Sequence, residues 1–267
     1  LGFELFSRFI VEIDYENKRL TLHEPYSYKP KKSRRTVALE VQDTKPYVHT
    51  HFKLQDGSTV AAKLMLDTGA SHSLLLDMDS HRALELPENV LRTNLGRGLG
   101  GDIDGHIGRI GSLDFGKYTF KDVLVSWPDP GSFTEVIRKT GRQGTIGGGL
   151  LTRFTVVIDY FNGNLYYKKN RNFGNTFEYN MSGIDLKAIG RKLDRYVITK
   201  IRPDSPAARS DIQIGDEVYA INGHLAEGLT LGKLNNFFRL KEGRKLRIEL
   251  FREEEKLVRK IRLERVI

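Results

Sequence analysis

Apolar positions along this chain fall into short groups rather than long helical stripes. Leu64-Met65-Leu66 and Leu74-Leu75-Leu76 are runs of strand length on either side of a small polar turn, Asp67-Thr68-Gly69-Ala70-Ser71. The spacing predicts two buried strands with Asp67 held at their junction. Residues 36–41 and 47–52 alternate apolar and polar like half-buried strands, and 106–110, 112–115 and 122–127 read as further strands. Ser112-Leu113-Asp114-Phe115-Gly116-Lys117 carries the glycine of a hairpin turn. Helical periodicity appears within 229–240, where Leu231, Leu234, Phe237 and Phe238 share a face. The pattern predicts a mainly β chain.

The hydrophobic pattern also repeats. Residues 1–15 align without a gap on 146–160, pairing Gly2 with Gly147, Leu5 with Leu150, Arg8 with Arg153 and Phe9 with Phe154. Val11/Val156, Ile13/Ile158, Asp14/Asp159, Tyr15/Tyr160, Asn17/Asn162 and Leu20/Leu165 continue the series. Matches at one constant offset mark an internal duplication. Each copy predicts a Gly-led turn, a short helix, a strand, a turn and a returning strand. The copy at 146–167 closes a unit containing Asp67. The copy at 1–22 is expected to close a unit whose beginning is absent.

Composition narrows the function classes. The chain has 267 residues, a net charge of +9 and no cysteine, which excludes disulfides, thiolate metal sites and cysteine nucleophiles. No apolar run reaches the ~18 residues of a membrane-spanning helix. The start lacks the basic-then-apolar pattern of a signal peptide and an initiating Met, so a mature product or a fragment is expected. The densest basic run, Lys29-Pro30-Lys31-Lys32-Ser33-Arg34-Arg35, sits in a Pro-containing connector and predicts a solvated linker. Elsewhere bases alternate with acids, as in Arg252-Glu253-Glu254-Glu255-Lys256, so no nucleic-acid partner is expected. His49 and His51 share one strand face, but no third ligand follows at metal-binding spacing, and a solvent-facing strand is expected instead. Glycines at 96, 98, 100, 101 and 105 are not placed after a parallel strand and before a helix, so a phosphate site is not expected. They suit a mobile cover over an extended ligand. No cofactor and no metal are predicted.

The turn at 67–71, the glycine-rich stretch at 96–105 and Thr145-Ile146-Gly147-Gly148-Gly149-Leu150-Leu151 occur in an order that resembles the lobes of retropepsin-like aspartic proteases. The resemblance covers about 36–170. The further copy within 1–28 resembles the tail of a preceding lobe, as in tandem-lobed bacterial members. It implies a β lobe in which Asp67 is one half of a catalytic dyad. Thr68 would brace the two turns, Gly69 would let them meet, and Ser71 would bond the outer carboxylate oxygen. Gly98, Leu99, Gly100 and Gly101 would form the flap over a protein or peptide substrate. This chain has no second Asp-Thr-Gly or Asp-Ser-Gly, so the partner Asp would come from an upstream lobe or another chain. Asp14 and Asp159 share a structural place before Tyr. His72 either tunes the site or is exposed polar filler.

Residues 181–267 resemble a PDZ domain, an α+β fold, through Ser205-Pro206-Ala207-Ala208, Gly215-Asp216 and Ile221-Asn222-Gly223. Ser210-Asp211 departs from the family's small residue and Gly. The resemblance implies a carboxylate-binding loop and ligand strand at Gly183, Ile184, Asp185 and Leu186. Leu231, Leu234 and Phe238 either line the peptide groove or build a small core. Expected partners are C-terminal peptides, and the family suggests a periplasmic or cell-envelope location. A catalytically silent peptide-binding scaffold is the alternative.

Overall fold

Short apolar runs separated by glycine and polar turns can bury themselves only by lateral pairing, and the described residues do so in three sheets. The computed structural model describes residues 2–98 and 101–267. Two units result: one runs up to Phe177 and takes in Ile267, and the other is Glu178–Val266. No helix among the described residues is long and apolar enough to cross a membrane.

In chain order the first unit begins with α1 (Phe3–Phe6), β1 (Ile10–Asp14) and β2 (Arg19–His23). Then come β3 (Arg35–Ala38), β4 (Glu40–Gln42), β5 (Lys45–Lys53), β6 (Thr59–Leu66) and β7 (Leu74–Leu76). They are followed by β8 (Leu91–Gly98), β9 (Gly101–Phe115), β10 (Tyr118–Pro128) and α2 (Thr134–Thr140). The unit ends with β11 (Gly144–Ile146), α3 (Gly148–Leu151), β12 (Phe154–Asp159) and β13 (Asn164–Lys169). An eight-stranded sheet runs β4-β5-β6-β11-β7-β10-β9-β8, and pairing of Phe52 with Leu113 joins β5 to β9. Strands β5, β6, β11, β7, β10 and β9 thereby close into a ring, which removes most free edges. Its interior is filled by Leu64, Leu74, Leu76, Leu113, Phe115 and Trp127, all nearly or fully inaccessible.

A five-stranded sheet, β2-β1-β12-β13-β3, holds both copies of the repeat. Each copy carries the same turn. Asn17 N–H donates to Asp14 Oδ1 at 3.0 Å and its side-chain amide to Oδ2 at 2.8 Å, while Asn162 makes the same bonds to Asp159 at 3.0 and 2.9 Å. Lys18 and Gly163 take the same left-handed φ, 51° and 61°. Antiparallel β1 and β12 pair Val11 with Ile158, Glu12 with Val157 and Ile13 with Val156. Each residue thus faces the counterpart of the one mirrored about Glu12, and a local two-fold axis passes through the Glu12–Val157 pair.

Three expectations need correction. Residues 36–41 are not one strand: the chain turns at Leu39, whose N–H donates to Gly163 O at 2.8 Å, so β3 and β4 serve different sheets. The break expected at Gly111 is absent, because β9 runs unbroken to Phe115. A side chain at 111 would meet Leu54 O at 2.9 Å, so glycine there lets β5 come close. The basic connector is also not wholly solvated. Arg34, with 5% of its side chain exposed, donates to Glu12 and to Tyr28 (2.7 Å), and His23 lies 3.1 Å from Glu12. This cluster ties the connector across the outer face of the five-stranded sheet.

The second unit is a six-stranded sheet with β14 (Ile184–Ile189), β15 (Arg195–Ile201), β16 (Glu217–Ile221), β17 (His224–Leu225), β18 (Lys245–Arg252) and β19 (Glu255–Arg262). The order β14-β15-β16-β18-β19, with β17 beside β16, leaves β14 at an edge. Helix α4 (Leu231–Phe237), capped by Thr230, lies against β14. Asp211, where a glycine was the expected residue, adopts φ 51° and ψ 39°. Asp tolerates the left-handed region better than most residues.

Candidate active site

Strand β11 lies between β6 and β7, parallel to the first and antiparallel to the second. The turn at 67–73 therefore arches over the end of β11, and its contacts with the chain that follows are unusually close. Asp67 N–H donates to Ile146 O at 2.9 Å. Gly147, Gly148 and Gly149 donate in succession to Ser73 O, Ala70 O and His72 O at 3.2, 2.7 and 3.0 Å. A Cβ at Gly147 would stand 2.4 Å from His72 O, and one at Gly144 1.9 Å from Leu75 O. These glycines are what allow the two segments to touch.

The half-buried Asp67 side chain is fixed locally: Oδ1 accepts the Gly69 N–H at 2.8 Å. Gly69 therefore acts through its amide. Ser71 is exposed and, among the described residues, makes no hydrogen bond to Asp67, against the expectation. Thr68 is half-buried and makes no side-chain hydrogen bond within the described residues.

His72 is not exposed filler. Its ring is largely buried, Nε2 has no hydrogen-bond partner among the described residues, and burial pushes its pKa from 6.5 down to about 4. The Asp67 charge opposes that shift and the Arg142 charge adds to it. Sequence reasoning missed Arg142, which is 6% exposed and donates from Nη1 to Met65 Sδ at 3.0 Å. Burial lowers its pKa, while the charges of Tyr47, Asp77 and Asp67 pull it back up. Asp77 is buried too, and burial raises its carboxyl. No periodicity signals either residue. An Arg two positions before Gly144 becomes meaningful only once β11 is known to run beneath the turn.

The glycine-rich stretch forms the outer part of the β8–β9 hairpin, with Gly98 opposite Gly101 and Gly96 opposite Ile103. Leu99 and Gly100 lie outside the described residues. Asp104 accepts from Asn94 Nδ2 at 3.0 Å, a bond internal to the hairpin. His49 and His51 are exposed on β5, and His49 Nε2 sits 2.6 Å from Glu40. No grouping of ligating side chains suited to a metal occurs among the described residues.

In the second unit, Gly183 has φ +82°, and a Cβ there would collide with Ser205 at 2.2 Å. Asn180 Oδ1 accepts from Ser182 N and Gly183 N at 3.0 and 3.3 Å, and Ser182 Oγ from Ile184 N at 3.0 Å. Ile184 is buried, Asp185 is exposed and Leu186 is intermediate. Of the two readings left open for the helix, Leu234 and Phe238 take the core, both 0% exposed, while Leu231 stays half-buried.

Residues 52–150 match a family model described as aspartyl protease. That stretch runs from the end of β5 into α3 and contains Asp67. No curated protein matches. Among solved structures, a retropepsin-like aspartic protease from Rickettsia conorii is 19% identical over 51% of this chain and 99% of its own, with a TM-score of 0.36. The HtrA3 PDZ domain bound to a phage-derived ligand is 24% identical over 31% of this chain and 82% of its own, TM-score 0.27. The photosystem II D1 C-terminal processing protease is 16% identical over 32% of this chain, TM-score 0.30, and the match spans only 23% of that protein.

Proposed function

We propose that residues 36–170 are one lobe of an aspartic endopeptidase and that Asp67 supplies one carboxyl of a two-Asp dyad. The other comes from a second lobe, on an upstream segment or another chain. The observation that carries this reading is the Asp67 turn, anchored by Ile146 and Gly69 inside the stretch that matches aspartyl protease. Two carboxyls about 3 Å apart cannot both ionise and share one proton. The ionised one takes a proton from water as the water attacks the peptide carbonyl, and the protonated one donates a hydrogen bond to the developing oxyanion. Thr68, unbonded within the described residues, is free to bond the facing turn, and the β8–β9 hairpin closes over the peptide. No cofactor or metal enters this chemistry.

The same reading makes residues 181–267 a PDZ-type module. An extended peptide, in the first instance a protein C-terminus, adds to the free edge of β14 beside α4. Gly183, Ile184, Asp185, Leu186 and Leu231 border that groove. A periplasmic or cell-envelope location belongs to this reading. The single Asp-Thr-Gly in the chain favours a second reading, a silent peptide-binding scaffold.

Peptide-library cleavage separates the two. A monomeric 1–267 chain is expected to leave the library intact, and an assembly with a second Asp turn to cleave it from acidic to near-neutral pH. Asp67→Asn in that assembly should lower turnover at least ~1000-fold while Tm moves little. Full-rate cleavage by Asp67→Asn removes Asp67 from the chemistry.

A further inference from the structure

Strands β18 and β19 bury Leu246, Ile248 and Leu250 on one face of their hairpin. On the other face the register sets Lys245 opposite Arg262 and Arg247 opposite Lys260. All four residues are exposed, and like charges directly across an antiparallel pair repel. The face supplies little to offset them. Its one central acid, Glu249, is shared by Arg247 and by Lys256 at 2.8 Å. Arg262 Nε donates to the neutral Gly243 carbonyl at 3.3 Å. Lys245 and Lys260 have no ion-pair partner among the described residues. Of the nearby acids, Glu217 is held by Arg195 at 2.8 Å and Glu242 lies 4.0 Å from Arg265. Glu253, Glu254 and Glu255 gather at the hairpin turn, at the far end from Lys245 and Arg262. Beside the cations, Tyr219 on β16 and Val258 on β19 are 37% and 41% exposed.

We infer that this sheet face, centred on Lys245, Arg247, Lys260 and Arg262, docks the chain on an anionic lipid surface. Headgroup phosphates supply the counter-charge that the hairpin lacks, and Tyr219 and Val258 rest at headgroup depth. Charge complementarity alone would also admit a single-stranded nucleic acid, but that partner needs open aromatic faces on which bases stack. Here the rings are committed elsewhere. Tyr219 and Phe251 meet at 78° with centroids 5.2 Å apart, and the Lys256 ammonium lies 4.2 Å from the Tyr219 centroid. The inference does not depend on Asp67 or on peptide capture. Strands β19 and β14 stand at opposite ends of the sheet order, so a docked hairpin leaves the β14 edge uncovered.

The 1–267 chain is mixed with phosphatidylcholine vesicles, with or without about 30 mol% phosphatidylglycerol, and the bound fraction is read by sedimentation. Binding is expected to the anionic vesicles alone, and to weaken as salt rises from about 0.1 to about 0.5 M. Lys245→Glu with Lys260→Glu should lower the affinity at least ~10-fold. Tm should not fall, because each new Glu faces an arginine across the hairpin. The same charge change at Lys31 and Lys32, exposed in the connector, should lower the affinity less than ~3-fold. Equal losses in the two variants assign the binding to net charge and overturn the inference, as does equal binding to uncharged vesicles. If the first variant unfolds, Lys245→Gln with Lys260→Gln replaces it; a loss of at least ~4-fold supports the face, and unchanged affinity overturns it. A fluorescent single-stranded oligonucleotide is titrated at the same salt. Oligonucleotide binding that is lost in the Lys245/Lys260 variant, with no binding to vesicles, gives the face to nucleic acid and overturns the inference.

Discussion

The buried imidazole beneath the Asp67 turn makes the first unit acid-sensitive, and the size of the effect follows from its pKa. Burial holds His72 at about 4 against 6.5 for a free histidine. Each tenfold in proton affinity is worth about 1.4 kcal/mol, so complete titration would remove ~3 kcal/mol, less to the extent that water reaches the ring. Above 6.5 the imidazole is neutral in both folded and unfolded chains, and stability is full. Between 6.5 and about 4 the unfolded chain binds a proton that the folded chain refuses, so stability falls with pH. Below about 4 both states are protonated and the loss is complete. His72→Gln removes this titration and leaves every other group in place. Urea unfolding at several pH values, followed by fluorescence of the buried and only tryptophan, Trp127, reports on this unit alone. The parent should lose stability relative to the variant as pH falls from about 7 to about 4. Carboxylates that also titrate there are common to both proteins and cancel. Parent and variant curves that stay parallel within ~0.5 kcal/mol would refute the assignment.

Gly147→Ala should destabilise the first unit by roughly 1–3 kcal/mol, because its methyl must displace the His72 carbonyl; an unchanged urea midpoint would show that the turn can yield. Arg153, 4% exposed, donates to the carbonyls of Gly149, Asn175 and Thr176 and stacks 3.8 Å from the Phe177 ring. Arg153→Met should therefore cost ~2–4 kcal/mol, whereas Arg8→Met at the exposed counterpart should stay within ~0.5 kcal/mol in the same titration. In the second unit, calorimetric titration of C-terminal peptides should show weaker binding once the terminus is amidated. Equal affinities would mean that the 182–186 loop, whose Ser182, Gly183 and Ile184 amides are already bonded internally, does not capture a carboxylate.

What the amino-acid order determined by itself lies within a few residues of chain. The mainly β character follows from short apolar runs, which only lateral pairing can bury. The hairpin at Gly116 and the turns that close the two repeats each join groups two or three residues apart. Local chemistry of that range survives any rearrangement of neighbours, so it is legible in a single sequence. The tertiary structure decided everything that depends on which strand lies beside which. It split 36–41 between two sheets, drew Arg34 out of a basic connector and buried it on Glu12, and turned His72 inward. It also assigned Leu234 and Phe238 to a core, and brought Arg142 from a distant part of the chain to Asp77 and the Asp67 turn. Burial is a property of the neighbours a fold supplies rather than of a residue type. Leu20 and Leu165 make the point, since one leucine at the same place in the same repeat is 42% exposed and the other 0%.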